Sequence, residues 1–276
     1  MYIDAHQHFW KFDPQDYGWI SDKMQVIRRD FYPDELAEEQ KKAGFSGAIS
    51  VQARQSLAEN DFLLGLAEHY DWIKGVVGWV DLCSDQAEDQ LQVFAAHPKA
   101  VGVRHVIHDE PDDDFMLRED FRRGIGLLKK YGMTYDLLLF PKHLPRAIKL
   151  VAEFPEQPFV LDHISKPHIR DRKTEPWADE IRQLAAFPHV HCKLSGMVTE
   201  THWQNWKEED FFPYLDVVWE AFGEDRLMIG SDWPVCKLSG EYAPVMQIVQ
   251  SYLSSFPQTT IQKVMGENAA QFYLKK

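Results

Sequence analysis

Eight short apolar segments alternate along the chain with longer segments of helical periodicity. The apolar segments are nearly continuous, as in strands that are buried on both faces, and the longer ones repeat apolar residues at i, i+3 and i+4. Eight such units in 276 residues predict an α/β fold, a single (β/α)8 barrel. The predicted strands are "YIDAHQHF", "SGAISVQA", "IKGVVGWVD", "AVGVRHVIH", "MTYDLLLF", "PFVLDHIS", "HVHCKLSG" and "RLMIGSDW".

A doubly wound open sheet is the alternative architecture for this alternation. It is disfavoured because no glycine-rich phosphate loop follows the first strand. No linker, repeat or low-complexity tract interrupts the pattern, so we expect residues 1–276 to form one domain. The final segment, "IQKVMGENAAQFYL", is predicted to be a closing helix.

Composition excludes several classes of partner. The net charge of −13 argues against nucleic acid and against an anionic membrane surface, because both attract basic proteins. The three cysteines, Cys83, Cys192 and Cys236, are widely spaced, which is typical of a reducing compartment. The sequence shows no leader pattern and no apolar run near the roughly 18 residues of a membrane span. We therefore expect a cytoplasmic protein that acts on a small molecule.

The opening "MYIDAHQHFW" places His6 and His8 two residues apart. Side chains at i and i+2 of a strand point the same way, with Cα atoms roughly 7 Å apart, so the two rings can converge on one atom. This arrangement suits a metal ligand pair or a proton-transfer pair, and the two histidines alone do not choose between them.

Polar residues cluster at the predicted strand ends. In a (β/α)8 barrel the active site lies at the C-terminal ends of the strands. Seven of the eight predicted ends carry charged, amide or imidazole groups, so we predict a site there; Asp136 lies within the fifth strand. These end residues are His6, His8, Gln52, Arg54, Trp79, Asp81, Arg104, His105, His108, Asp162, His163, Lys166, Lys193, Ser195, Asp232 and Trp233.

Six stretches, in order, resemble the amidohydrolase superfamily, and in particular its sugar-lactone hydrolases of the L-fuconolactonase and L-rhamnonolactonase type. They are "DAHQHFW", "GVRHVIHDEPDDDF", "YDLLLFPKHL", "LDHISKP", "CKLSGMVTE" and "GSDWPV". The resemblance implies hydrolysis of an aldonolactone, a reaction of carbohydrate metabolism. It also implies a divalent metal held by residues from strands one, six and eight, namely His6, His8, His163 and Asp232.

The chain departs from the two-metal members of that superfamily. Those typically add a bridging carboxylated lysine or glutamate on strand four and a histidine on strand five. Arg104, His105 and Asp136 occupy these strands here. We therefore expect at most one divalent ion, zinc by its ligand types, and a loosely held or dispensable one. A metal-free hydrogen-bonded array is the alternative.

Lactone opening needs an activated water, a stabilised oxyanion and a protonated leaving group. We predict that Asp232 is the general base, beside His163, and that Arg104, Lys193, His105 or a metal stabilises the oxyanion. Lys193 could instead pair with Asp162 or Asp136, Arg104 could be a structural pairing partner, and His105 could be a core histidine. The predicted substrate-binding residues are Gln52, Trp79, Asp136, His202 and Trp233.

Two other functions are compatible with these residues. One is a metal-dependent decarboxylase or amide hydrolase on the same scaffold, which would need a tightly held ion. The other is an inactive barrel that only binds, which the joint presence of His6, His8, His163 and Asp232 disfavours.

Overall fold

A computed structural model describes residues 1–275 and shows eight parallel strands in the order β1 to β8, each paired with the next. The predicted (β/α)8 barrel is confirmed, and each observed strand lies within its predicted segment. The strands are β1 (Ile3–Gln7), β2 (Gly47–Val51), β3 (Ile73–Gly78), β4 (Ala100–His105), β5 (Thr134–Leu137), β6 (Phe159–Leu161), β7 (Val190–Leu194) and β8 (Leu227–Ile229).

The barrel closes between the first and last strands through the chain just beyond β8. The amide of His8 donates to the carbonyl of Trp233 at 2.7 Å, and the amide of Asp232 donates to the carbonyl of His6 at 2.8 Å. The buried carboxylate of Asp4 accepts hydrogen bonds from the amide of Ser231 at 2.9 Å and from the amide of His6 at 3.1 Å. This closure brings Asp232 beside the two N-terminal histidines.

Amphipathic helices surround the strands. In the fourth helix, for example, Phe121, Ile125 and Leu128 are buried on one face, at the spacing of a helix packed on a sheet. The helices are α1 (Pro33–Lys42), α2 (Leu57–His69), α3 (Ala87–Ala95), α4 (Glu119–Leu128), α5 (Leu144–Glu153), α6 (Trp177–Ala185), α7 (Phe212–Phe222), α8 (Tyr242–Leu253), α9 (Gln258–Gln262) and α10 (Asn268–Tyr273).

The closing helix differs from the prediction, because it is broken into α9 and α10 by a π-helical turn at Lys263–Glu267. The break lies where the N-terminal chain crosses: a Cβ on Gly266 would lie 2.2 Å from the carbonyl oxygen of Met1. This contact between the two chain ends cannot be read from local periodicity. Beyond the break, Tyr273 of α10 packs with the side chains inside the barrel.

Among residues 1–275, no helix is both long enough and apolar enough to cross a membrane.

Candidate active site

A cavity of about 590 Å³ opens at the C-terminal ends of the strands, where the site is predicted. His8, Arg104, His163 and Asp232 line it and are each at most 3 % exposed, so they form its floor. Four separate strands therefore contribute to one buried polar surface.

The chain turns sharply where β6 and β8 end. Four consecutive residues, His163 to Lys166, have φ between 47° and 61°, and Asp232 has φ of 56°. Left-handed backbone at residues other than glycine is strained and persists only where the surroundings hold it. Here Nδ1 of His163 lies in hydrogen-bond contact with Oγ of Ser195 at 2.9 Å, and a Cβ on Gly196 would collide with the His163 ring. The turn therefore aims Nε2 of His163 at Asp232, 3.8 Å away.

Three of the predicted metal ligands converge most closely. Nε2 of His8 lies 3.2 Å from Nε2 of His6 and 3.2 Å from Oδ1 of Asp232. Nδ1 of His8 lies 2.7 Å from the carbonyl oxygen of Val51, so Nδ1 carries a proton and donates it there. On the other side of the ring, Nε2 faces Oδ1 of Asp232. This contact is favourable when either a proton on Nε2 or a bound cation lies between the two atoms.

A buried ionic array lies beneath this cluster. Nζ of Lys193 lies 2.5 Å from Oδ2 of Asp136 and 3.0 Å from Oδ1 of Asp162. Nη1 of Arg104 lies 3.1 Å from Oδ2 of Asp162. The array reaches the histidines through His6, whose Nδ1 is 3.2 Å from Lys193 Nζ and whose Nε2 is 3.2 Å from Arg104 Nη1. Two protein cations therefore flank His6.

Burial and charge set the protonation states. Burial lowers the pKa of His163 to about 3 and that of His6 well below its usual value, so both imidazoles are neutral. Burial alone would raise the pKa of Asp232, but the neighbouring histidines more than offset this and leave it below its ordinary range. The ionised carboxylate of Asp232 therefore lies beside two neutral imidazoles, those of His6 and His163.

Two predicted oxyanion-stabilising residues do not line the cavity. Lys193 is fully buried and forms ion pairs with Asp136 and Asp162. This is the alternative to an oxyanion-stabilising role that the sequence leaves open. Nε2 of His105 lies 2.7 Å from Oε1 of Glu110, and its ring stacks on Phe115. These contacts agree with the alternative that His105 is a core histidine. Arg104 both pairs with Asp162 and lines the cavity. Of the protein groups predicted for the oxyanion, only Arg104 therefore lies in the described cavity wall.

The five predicted substrate contacts also lie away from the cavity. Gln52 is buried, and its side-chain amide donates to the backbone carbonyl of Arg104. The guanidinium of Arg104 donates in turn to the backbone carbonyl of Gln52. Trp79 points its indole nitrogen at His105, at 3.4 Å, and Asp136 accepts from Tyr273 at 2.9 Å. Trp233 is buried against Phe9 and Phe31, and His202 is exposed outside the cavity. Their positions give no support to substrate contact, because none of the five is among the residues that line the cavity.

Other residues take their place on the cavity wall. The charged ones are Asp16, Arg54, Asp109, Lys166 and Glu200, and His108 and Thr199 add polar groups. Arg54, His108 and Lys166 can be found from the sequence, because each lies at or directly after the end of a predicted strand. Asp16 and Glu200 lie several residues beyond the ends of β1 and β7, so strand-end reasoning alone could not select them.

The fold and site together define a (β/α)8 enzyme with a histidine and aspartate cluster suited to a metal ion. The family model described as amidohydrolase matches residues 3–275, and the chain belongs to that family.

The chain is similar to two proteins named L-fucono-1,5-lactonase. One, from Burkholderia multivorans, is 38% identical over 98% of this chain and 95% of the relative. The other, from Burkholderia ambifaria, is 34% identical over 98% of this chain and 94% of the relative. A crystal structure of an amidohydrolase from Burkholderia multivorans with bound zinc superposes with a TM-score of 0.95, at 37% identity over 100% of both chains.

Proposed function

We propose that this protein is a lactonase that opens a neutral sugar lactone, such as L-fuconolactone or a related aldonolactone, to the aldonic acid. The two similar proteins named L-fucono-1,5-lactonase support this reading over nearly the full chain. The site residues named below are part of the proposal.

The charge balance of the cavity is the observation that carries the proposal. Each of the three cations on its wall, within residues 1–275, has a carboxylate partner. Arg54 pairs with Asp16, and Lys166 Nζ lies 3.2 Å from Oε1 of Glu200. Arg104 pairs with Asp162, as described above. A substrate carboxylate would have to displace one of these partners, whereas the hydroxyl groups of a neutral lactone can bind paired groups.

In the proposed mechanism, Asp232 accepts a proton from water, which attacks the lactone carbonyl carbon. Its carboxylate is ionised and held at the floor by the turn after β8. The guanidinium of Arg104 donates to the developing oxyanion, and its hydrogen bonds to the backbone carbonyl of Gln52 and to the carboxylate of Asp162 hold it in place. The ring C–O bond then breaks, and the proton held by Asp232 passes to the leaving ring oxygen. The products are one carboxylic acid and one free hydroxyl group.

The residues fit one divalent ion, which we propose to be zinc held by His6, His8, His163 and Asp232. Nε2 of His8 lies 3.2 Å from Oδ1 of Asp232, a separation that suits two atoms coordinating the same cation. The separations of 3.2 to 3.8 Å among His6, His8 and Asp232 suit ligands that share an ion at about 2.0–2.2 Å. When bound, such an ion supplies Lewis-acid polarisation of the carbonyl.

We expect no second ion, and we expect the first to be dispensable. A second possible ligand group, His6, Asp162 and His163, lies beside the first. Lys193 and Arg104 already lie against its members, at 3.0 Å and 3.1 Å from Asp162, so their charges oppose another cation. Arg104 also lies 3.2 Å from the His6 nitrogen that faces Asp232, which weakens binding of the first ion.

A panel of aldono-1,4- and 1,5-lactones that differ at single carbons tests the proposed function. We expect hydrolysis of at least one lactone far above the rate in buffer, with discrimination among stereoisomers because buried donors left unpaired are costly. Rates equal to buffer for every lactone, together with loss of CO₂ from an aromatic acid, would instead identify the decarboxylase alternative.

A further inference from the structure

The cavity is larger than a single sugar lactone requires. One six-membered ring fills a cavity of about 150 Å³, and a water molecule takes about 30 Å³. A lactone ring with its hydroxyl groups and the attacking water therefore leaves roughly half of the cavity, which measures about 590 Å³, to be filled by something else.

The rim of the cavity is aromatic. Trp19, Phe140 and Trp203 line it and are 36 %, 37 % and 39 % exposed. They are the only exposed tryptophan and phenylalanine side chains within residues 1–275. Large apolar side chains are seldom left in water in a group without a binding role, so their concentration at one opening points to a ligand.

The three rings are held in fixed orientations by contacts with other residues of the cavity wall. The indole nitrogen of Trp19 donates to the carbonyl of Ala53 at 2.9 Å, and that of Trp203 donates to the carbonyl of Thr199 at 3.1 Å. Phe140 stacks on His108, with ring centroids 4.7 Å apart. Because the polar edges of both indoles are anchored to the backbone, their carbon faces remain available for stacking.

The cavity therefore has two chemically different parts. Its floor is polar and buried around Asp232, and its rim is aromatic and half-open. We infer that the rim is a second subsite, which takes a sugar ring joined by a glycosidic bond to the lactone on the floor. The inference rests on the proposed lactonase activity and extends its substrate class to glycosylated aldonolactones. Sugar rings have apolar faces that stack on aromatic side chains, and their hydroxyl groups reach the ion pair of Arg54 and Asp16 on the same wall.

The reaction of such a substrate is the same ester hydrolysis. Water adds to the lactone carbonyl, the ring C–O bond breaks, and the glycosidic bond stays intact. The second sugar ring contributes binding energy but takes no part in the chemical step. We therefore expect it to lower KM and to leave kcat nearly unchanged.

The test compares the best lactone of the panel with the same lactone carrying a glucosyl group on the hydroxyl farthest from the ester. For the unmodified enzyme we expect kcat/KM to be about tenfold higher for the glycosylated substrate, through a lower KM. Trp203→Ala should reduce this preference by about tenfold, and Trp19→Ala should act in the same direction. Tyr32→Ala is the matched control, because Tyr32 is 38 % exposed and lies outside the cavity wall. It should keep the preference.

A preference for the glycosylated lactone that either tryptophan variant lowers, in protein with unchanged circular dichroism, supports the inference. If one variant fails to fold, the other and Phe140→Ala provide the comparison. Faster hydrolysis of the parent lactone, or a preference that none of the rim variants moves, overturns the inference and leaves the lactonase function standing. If neither substrate is hydrolysed, both proposals fail.

Discussion

At the scale of single residues, Asp232 combines an ionised carboxylate with strained backbone. Its φ of 56° lies in the left-handed region, where asparagine and aspartate are tolerated better than most residues. Asn therefore suits the same backbone and keeps one oxygen near His8 and His163 while removing the proton acceptor. This makes Asp232→Asn a clean test of the proposed base.

We expect Asp232→Asn to lower kcat by about 10²- to 10⁴-fold, the usual worth of general-base assistance, with little change in the melting temperature. Steady-state kinetics on the best lactone and thermal unfolding measure both quantities. A loss of less than tenfold would assign the proton transfer to another group.

Lys193 is predicted to act through stability. Its ammonium lies between two fully buried carboxylates, and burial raises the pKa of Asp136 to about 6 even with Lys193 beside it. Removing one partner of a buried pair leaves an uncompensated charge, which costs about 3–5 kcal/mol. Lys193→Met should lower the free energy of unfolding by about that amount in urea titration.

The double variant Lys193→Met with Asp136→Asn supplies the control. It removes one charge of each sign, so it should recover part of the loss. Equal stability of Lys193→Met and the unmodified protein, or no recovery in the double variant, would show that the ion pair is not what these groups contribute.

At the scale of elements, His191 of β7 contacts α10. The ring of His191 packs on Phe272 with centroids 4.6 Å apart, and burial, helped by Arg226, lowers the pKa of His191 to about 4. The unfolded chain has a histidine pKa near 6.5, so between about pH 6.5 and pH 4 it binds more protons than the folded chain. The contribution of this contact is therefore fully present above pH 6.5 and is lost as the pH falls towards 4.

We expect His191→Gln to make the free energy of unfolding less dependent on pH in that window, by roughly 1–3 kcal/mol between its ends. Chemical denaturation at pH 4.5 and pH 7 measures the difference, with His69→Gln, on an exposed position of α2, as the control for losing an imidazole. A pH dependence identical to that of the unmodified protein would mean that the ring of His191 takes up a proton without opening the contact with α10.

The eight strands could be predicted from the sequence. Continuous apolar runs located all eight strands, because strands buried on both faces have few other patterns. The meeting of strand ends at one face of a barrel predicts that His6, His8, His163 and Asp232 lie close together, and the resemblance to the amidohydrolase superfamily selects these four among the strand-end residues. Strand-end reasoning could not predict whether a residue near the end of a strand reaches the cavity or lies below it. Lys193, one residue before the end of β7, lies below the cavity in the ionic array.

The loop residues that line the cavity could not be predicted by strand-end reasoning either, but for a different reason. Trp19 and Glu200 reach the cavity through contacts between segments far apart in sequence, which no local pattern records. Trp233 directly follows Asp232 and is predicted to contact the substrate, but its ring is buried against Phe9 and Phe31.

At the scale of the whole molecule, the alternation of strands and helices runs without a break from β1 to α10. That residues 1–276 form a single domain remains a prediction. It requires one cooperative unfolding transition, which coincident melting curves from circular dichroism and tryptophan fluorescence would show.

Metal content is a property of the whole enzyme. It decides whether the proposed lactone hydrolysis needs a metal ion or proceeds with Arg104 as the group that stabilises the oxyanion. Arg104 and Lys193 place permanent positive charge on either side of His6, and Asp232 is ionised without help from a metal. We therefore expect the purified protein to bind at most one divalent ion per chain by elemental analysis. After exhaustive chelation it should retain lactonase activity within about threefold, while zinc should raise the melting temperature through the His8 and Asp232 contact. Two ions per chain would contradict the exclusion by Lys193 and Arg104. A loss of more than a hundredfold that zinc restores would show instead that the guanidinium of Arg104 does not suffice for the oxyanion.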